Sequence, residues 1–241
     1  MTRITRPLIA LAALALALPA SASAATVAVV DGKPTFTAAS GEANVLTVSI
    51  VTGGVRFEDD GISSVTAGSG CTAPAGKRVD CLLAVVPGVV VDAGDGNDEV
   101  YVNLLAPSTV YGGLGNDVLR GGGVSDTMDG GPGNDSLDGI WGNDVLIGAE
   151  GADVLEGGSG RDRVSYAERT AGVAASLDDV ANDGGAGEGD NVRPSVEDVT
   201  GGSGSDALTG DADANELLGG AGDDVLDGGD GDDVLDGGAG T

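Results

Sequence analysis

The sequence predicts an all-β protein whose larger part is a stack of short parallel strands. Three observations carry that expectation. A nine-residue frame recurs through the second half of the 241-residue chain, and one place in the frame is apolar in every copy. The segment ahead of it contains β-branched runs and no amphipathic helix.

The elements follow in chain order. Arg3 and Arg6 precede an apolar run from Leu8 to Leu18, and Ala22-Ser23-Ala24 offers small residues at a cleavage site. Residues 1–24 therefore read as a secretory signal peptide. The run is too short for a bilayer core of ~30 Å, which takes ~20 apolar residues, and no later segment comes closer. The expectation is a secreted, extracellular chain without membrane insertion.

Residues 25–91 read as a strand-rich N-terminal region. Ala25–Val30, Pro34–Ala38 and Ala84–Val91 are short strand candidates, and 44–51 and 55–58 are β-branched runs joined by Thr52-Gly53-Gly54, a hairpin signal. Cys71 and Cys81 are the two cysteines of the chain. Outside the cell they are expected to pair, and closing so small a loop stabilises by roughly 2.5–3 kcal/mol on the chain-entropy estimate.

Composition changes near Val91. Residues 25–91 hold six acids against four bases, whereas residues 92–241 hold 33 against five, together with 36 of the 45 glycines. Loss of Arg3 and Arg6 with the leader takes the formal charge from -28 to -30. Such a surface lacks the basic footprint that nucleic acids and anionic membranes require. Cations are the natural partners.

From Gly112 the frame holds for words beginning at 112, 121, 130, 139, 148 and 157, and again at 201, 210, 219 and 228, with an incomplete word at Gly237. The predicted blocks are thus 92–165 and 201–241, separated by an irregular longer coil at 166–200. The eighth place is Leu, Met or Val throughout. The sixth is Asp117, Asp126, Asp135, Asp144, Asp153, Asp162, Asp206, Asn215, Asp224 and Asp233; Asp98 holds the same place in an earlier word, 94–98.

Each place has a physical task. Glycines at places 1, 2 and 4 permit left-handed backbone angles in a tight turn. The three residues after the aspartate make a short strand whose middle side chain faces inward. Two words then form a coil of eighteen residues, and coils stack into two parallel sheets with the apolar column between them. Stacking brings aspartates eighteen apart to one edge at a coil spacing of ~4.8 Å. Two carboxylates at ~5 Å repel by about 3 kcal/mol at an effective dielectric of 20, a cost repeated along both edges. A hard divalent cation held by carboxylates and turn carbonyls reverses the sign, and flexible oxygen coordination suits Ca²⁺ rather than Mg²⁺. Six inter-coil sites follow: Asp117 with Asp135, Asp135 with Asp153, Asp126 with Asp144, Asp144 with Asp162, Asp206 with Asp224, and Asn215 with Asp233.

The words 130–138 (GGPGNDSLD) and 219–227 (GGAGDDVLD) resemble the RTX, or haemolysin-type, calcium-binding repeat. The resemblance implies a right-handed parallel β-roll, or β-helix, that orders on binding Ca²⁺ after export. Departures are Val124 at place 4, Ile140 and Ala149 at place 2, and Ala214 beside Asn215, all marking weaker sites. The N-terminal leader departs from RTX toxins and favours a small exported calcium-binding protein.

Catalysis is not expected. The chain has no histidine, which removes histidine-based triads and zinc-protease motifs. Tyr166, Glu168 and Arg169 lie together as the one grouping that a polysaccharide epimerase or lyase could use. The alternative reading is a surface adhesin or polysaccharide-binding module with a cell-surface polysaccharide or protein partner. In the 166–200 stretch, Val173–Leu177 reads as a strand and 182–190 as an acidic glycine loop: a looped-out coil, or a further Ca²⁺ or partner site.

Overall fold

A computed structural model describes residues 24–62 and 64–240; the leader expectation for 1–24 lies almost wholly outside the described residues. All regular structure among the described residues is β. No helix there is long and apolar enough to cross a membrane.

Eighteen-residue coils lay their strands alternately into two sheets. One contains Val89–Asp92, Ser108–Tyr111, Thr127–Asp129, Val145–Ile147, Arg163–Ser165, Asp198–Thr200, Glu216–Leu218 and Val234–Asp236, each parallel to the next. The other runs Glu99–Asn103, Val118–Arg120, Ser136–Asp138, Val154–Glu156 and Asn191–Val192. A third, of Ala174–Ser176, Ala207–Thr209 and Val225–Asp227, continues that side of the roll. Register follows the frame: Leu119 faces Leu137, which faces Leu155, and on the opposite side Met128 faces Leu146.

The middle residue of each strand points inward because strand side chains alternate. Leu119, Met128, Leu137, Leu146, Leu155, Val164, Leu208 and Leu217 are accordingly buried in one continuous core. The column ends at the C-terminal coil, where Leu226 is half-buried and Leu235 is 47% exposed.

Both sheets continue into the N-terminal strands. Lys33–Thr37 lies parallel to Val89–Asp92, placing Phe36 against Val91, and Val45–Val51 lies parallel to Glu99–Asn103, placing Val48 against Val102. Buried Phe36 and Phe57 extend the apolar column beyond the first coil. Val45–Val51 and Gly54–Asp59 form the expected hairpin. Of the strand expected at Ala84–Val91, Val89–Asp92 is realised. A second hairpin, Cys71–Ala75 with Arg78–Leu82, had no legible alternation; its facing residues Cys71 and Cys81 carry the disulfide.

The 166–200 stretch is folded rather than looped out. The chain doubles back, so that residues 183–184 lie antiparallel between Asp190 and Ala174 and fill the gap between Asn191–Val192 and Ala174–Ser176. The other sheet passes straight from Arg163–Ser165 to Asp198–Thr200.

Candidate metal centre

The sixth place of each word lies at the end of a turn, just before its strand, and its side chain is turned into the stack. Asp98, Asp117, Asp126, Asp135, Asp144, Asp153, Asp162, Asp206 and Asn215 are all buried; Asp233, in the last coil, is half-buried. One carboxylate oxygen binds the coil before it. The N–H of Asp117 donates to Oδ1 of Asp135, that of Asp135 to Asp153, of Asp126 to Asp144, of Asp144 to Asp162, of Asp206 to Asp224 and of Asn215 to Asp233, at 2.7–3.0 Å. All six pairs expected from the spacing are therefore adjacent. A seventh joins Asp98 to Asp117 at 2.8 Å. Place 5 makes a ladder of opposite polarity, with Asn134 N–H donating to the Asn116 side chain and Ala152 N–H to that of Asn134.

The second carboxylate oxygen sorts the turns into two kinds. In seven words, Oδ2 of Asp98, Asp117, Asp135, Asp144, Asp153, Asp162 and Asp224 is buried with no hydrogen-bond partner. In these same words places 2 and 4 are left-handed, as at Gly131 (φ 91) and Gly133 (φ 159). Ile140 (φ 73) and Ala149 (φ 70) keep this shape despite their side chains. Words 121, 201 and 210 lack left-handed angles at those places. There the place-2 N–H turns inward and occupies the outer oxygen: Gly122 to Asp126, Gly202 to Asp206 and Asp211 to Asn215, at 2.7–2.9 Å.

Gly122 lies against the Leu104 carbonyl and Gly202 against that of Arg169. Of the four departures from the frame, Val124 and Ala214 lie in closed turns, whereas Ile140 and Ala149 lie in open ones. Word 201 has both glycines and closes all the same.

Place 1 needs glycine for a reason other than the one expected. Gly112 and Gly130 are not left-handed, which corrects the reading of that place as a positive-φ position. A Cβ on Gly112 would instead lie 2.4 Å from Oδ2 of Asp117 and 2.6 Å from the carbonyl oxygen of Gly130 in the next coil. Gly139 is hemmed in likewise by Oδ2 of Asp144 and the Gly157 carbonyl. At both turns a carboxylate oxygen of one coil stands beside a backbone carbonyl of the next.

Burial makes these carboxylates costly to ionise. It pushes Asp135 and Asp144 up to about 7, with the carboxylates one coil away adding to the rise, and Asp98 and Asp153 up to about 6. Asp117, Asp126 and Asp162 are raised for the same reason. Among the described residues no three acidic, histidine or cysteine side chains gather at one point. A cation at these turns would draw on one carboxylate per coil together with turn carbonyls, an all-oxygen donor set of the kind hard divalent ions take.

The RTX calcium-binding nonapeptide repeat matches four times, over residues 109–137, 138–167, 197–225 and 209–241. The chain carries RTX calcium-binding repeats. The matched spans contain every word from Gly112 onward and skip most of the doubled-back stretch. No curated protein matches the chain. In the RTX turns of this chain, the orphaned buried oxygens are the feature that fits a cation: each is a desolvated acceptor whose cost a bound ion removes.

Two ladder members lay outside the frame. Oδ1 of Asp190 accepts from the Asp153 N–H at 3.0 Å, and Oε2 of Glu197 accepts from the Asp162 N–H at 2.6 Å. They take the sixth place of the missing words. Neither stands at a multiple of nine from its partner, so the frame gave no signal for them.

Proposed function

We propose that the protein is a secreted calcium-binding scaffold whose roll orders when Ca²⁺ enters the open turns after export. The column of buried, unpartnered Oδ2 atoms carries this reading. In the oxidising, calcium-rich space outside the cell, an ion at each open step would replace carboxylate repulsion by shared coordination, so binding free energy becomes folding free energy. Asp98, Asp117, Asp135, Asp144, Asp153 and Asp162 supply both partners of four steps: Asp98 with Asp117, Asp117 with Asp135, Asp135 with Asp153, and Asp144 with Asp162. The steps Asp126 with Asp144, Asp206 with Asp224, and Asn215 with Asp233 each have one closed partner and bind more weakly. Calcium titration of the full chain by calorimetry tests this: a tight class of sites followed by a weaker one is expected, and absence of binding at millimolar Ca²⁺ would overturn it.

A second reading, a surface module that binds a neutral polysaccharide, is favoured by one feature. Tyr101, Leu105, Arg120 and exposed Trp141 line a cleft of about 380 Å³, with the Arg120 guanidinium 5.9 Å from the Tyr101 ring centre. Binding to a glycan array in calcium, lost on Trp141→Ala, would support it; an unreactive array would remove it.

A further inference from the structure

Resting on the calcium reading, we propose that the doubled-back stretch and its flanking arginines form a metal-independent joint, where built-in cations do what calcium does elsewhere in the roll. At the Asp153–Asp190 step, the buried Tyr166 hydroxyl donates to Oδ2 of Asp190 at 3.0 Å, so that of the two outer oxygens only that of Asp153 stays unpartnered. Arg169 spans the same edge. Its guanidinium donates to Oε2 of Glu188 at 2.6 Å and to the carbonyl of Ala149. That carbonyl is at place 2, where Ile140 and Gly202 accept a backbone N–H from the next coil. Arg169 therefore supplies both a missing donor and a positive charge.

On the opposite edge two arginines pair with the acids that flank the Asp162–Glu197 step, whose own outer oxygen on Asp162 stays unpartnered. Arg161 forks onto Asp198, through Nη2 at 2.6 Å and Nε at 3.2 Å, and also donates to the Ala214 carbonyl. Arg163 pairs with Asp198 at 3.0 Å and with Glu216. One coil further, place 6 is the uncharged Asn215, whose amide donates to the Glu197 carbonyl at 3.0 Å. The packing is deep: Asp183 and Asp190 are buried, and Asp183 accepts from the N–H groups of Ser176 and Val192.

In a stacked fold each coil contacts only its neighbours, so order starts wherever one interface is stable and spreads from there. A joint that needs no ion seeds the calcium-dependent turns on both sides, 112–152 before it and 219–240 after it. It also sets the calcium level at which they order.

Hydrogen–deuterium exchange of the full chain in excess chelator tests the proposal. Peptides within 153–200 should exchange at least about tenfold more slowly than peptides within 112–147 and 219–240. Arg169→Gln should abolish that difference and raise the calcium midpoint of folding, while still reaching the wild-type circular dichroism in saturating Ca²⁺. Arg78→Gln, an exposed arginine of the N-terminal hairpin, should change neither. Equal exchange of all these segments in the wild-type chain would overturn the proposal, as would equal effects of the two substitutions. An Arg169→Gln chain that stays unfolded even in calcium would overturn it too. Failure to bind calcium in calorimetry would remove the calcium reading and leave the chelator result standing.

Discussion

The backbone N–H of Asp117 donates to Oδ1 of Asp135 one coil further on, at 2.8 Å, while the outer oxygens of both carboxylates are buried and unpartnered. One oxygen thus holds the register of the stack, and on the proposed calcium reading the other is left for the cation. The two roles separate under substitution. Asp135→Asn preserves the register acceptor and removes the charge. In chelator it should unfold at a higher temperature than the wild-type chain; in calcium, affinity at the two steps that Asp135 joins should fall by about tenfold or more. Thermal unfolding and calorimetry on the same variant check both halves, and an unchanged calcium affinity would remove Asp135 as a ligand.

The pH dependence of the metal-free chain follows from the raised carboxylates. Asp135, Asp144 and Asp190 lie near 7 in the folded state, and Asp98 and Asp153 near 6, against an ordinary 3.8. The folded state binds more protons than the unfolded one between about pH 4 and 7, so metal-free stability falls as pH rises through that window. Chelated protein should show more strand signal at pH 5 than at pH 8. Calcium competes with those protons, and its affinity should rise over the same range with proton release. Strand content in chelator that increases with pH would contradict the assignment.

Glycine places are unequal in a way that one word displays. Ala149, at place 2, adopts φ 70 with a side chain present. Gly151, at place 4, has φ 140, and a Cβ there would lie 1.5 Å from the Gly133 carbonyl oxygen. Gly151→Ala should cost more than about 3 kcal/mol in saturating calcium, by clash and by backbone strain together. Denaturant unfolding measures it.

The apolar column should be graded from middle to end. Leu137 is fully buried, and Leu137→Ala should cost about 2–5 kcal/mol. Leu235, at 47% exposure, should cost less than about 1 kcal/mol on the same change. Similar losses at both positions in denaturant unfolding would show that the last coil packs as firmly as the middle.

The parts of the fold written as a period were legible. The leucine column and the aspartate ladder depend on spacing alone, and all six expected aspartate pairs stack. What depends on a particular neighbour was not legible. Word 201 reads as a full repeat, yet Gly202 lies against the Arg169 carbonyl and closes on Asp206. Asp190 and Glu197 stand in the ladder 37 and 35 residues from their partners, at no multiple of the frame, because the chain reverses before reaching them. The glycine at place 1 was read as a matter of backbone angle, whereas the room it leaves for the carboxylate is what the position requires.

Far-UV circular dichroism of the full chain, in excess chelator and then in millimolar Ca²⁺ or Mg²⁺, reads whether the ion orders the roll. Ca²⁺ should bring a large gain of strand signal and Mg²⁺ little. A complete strand spectrum in chelator, unmoved by calcium, would show that the roll folds without the ion.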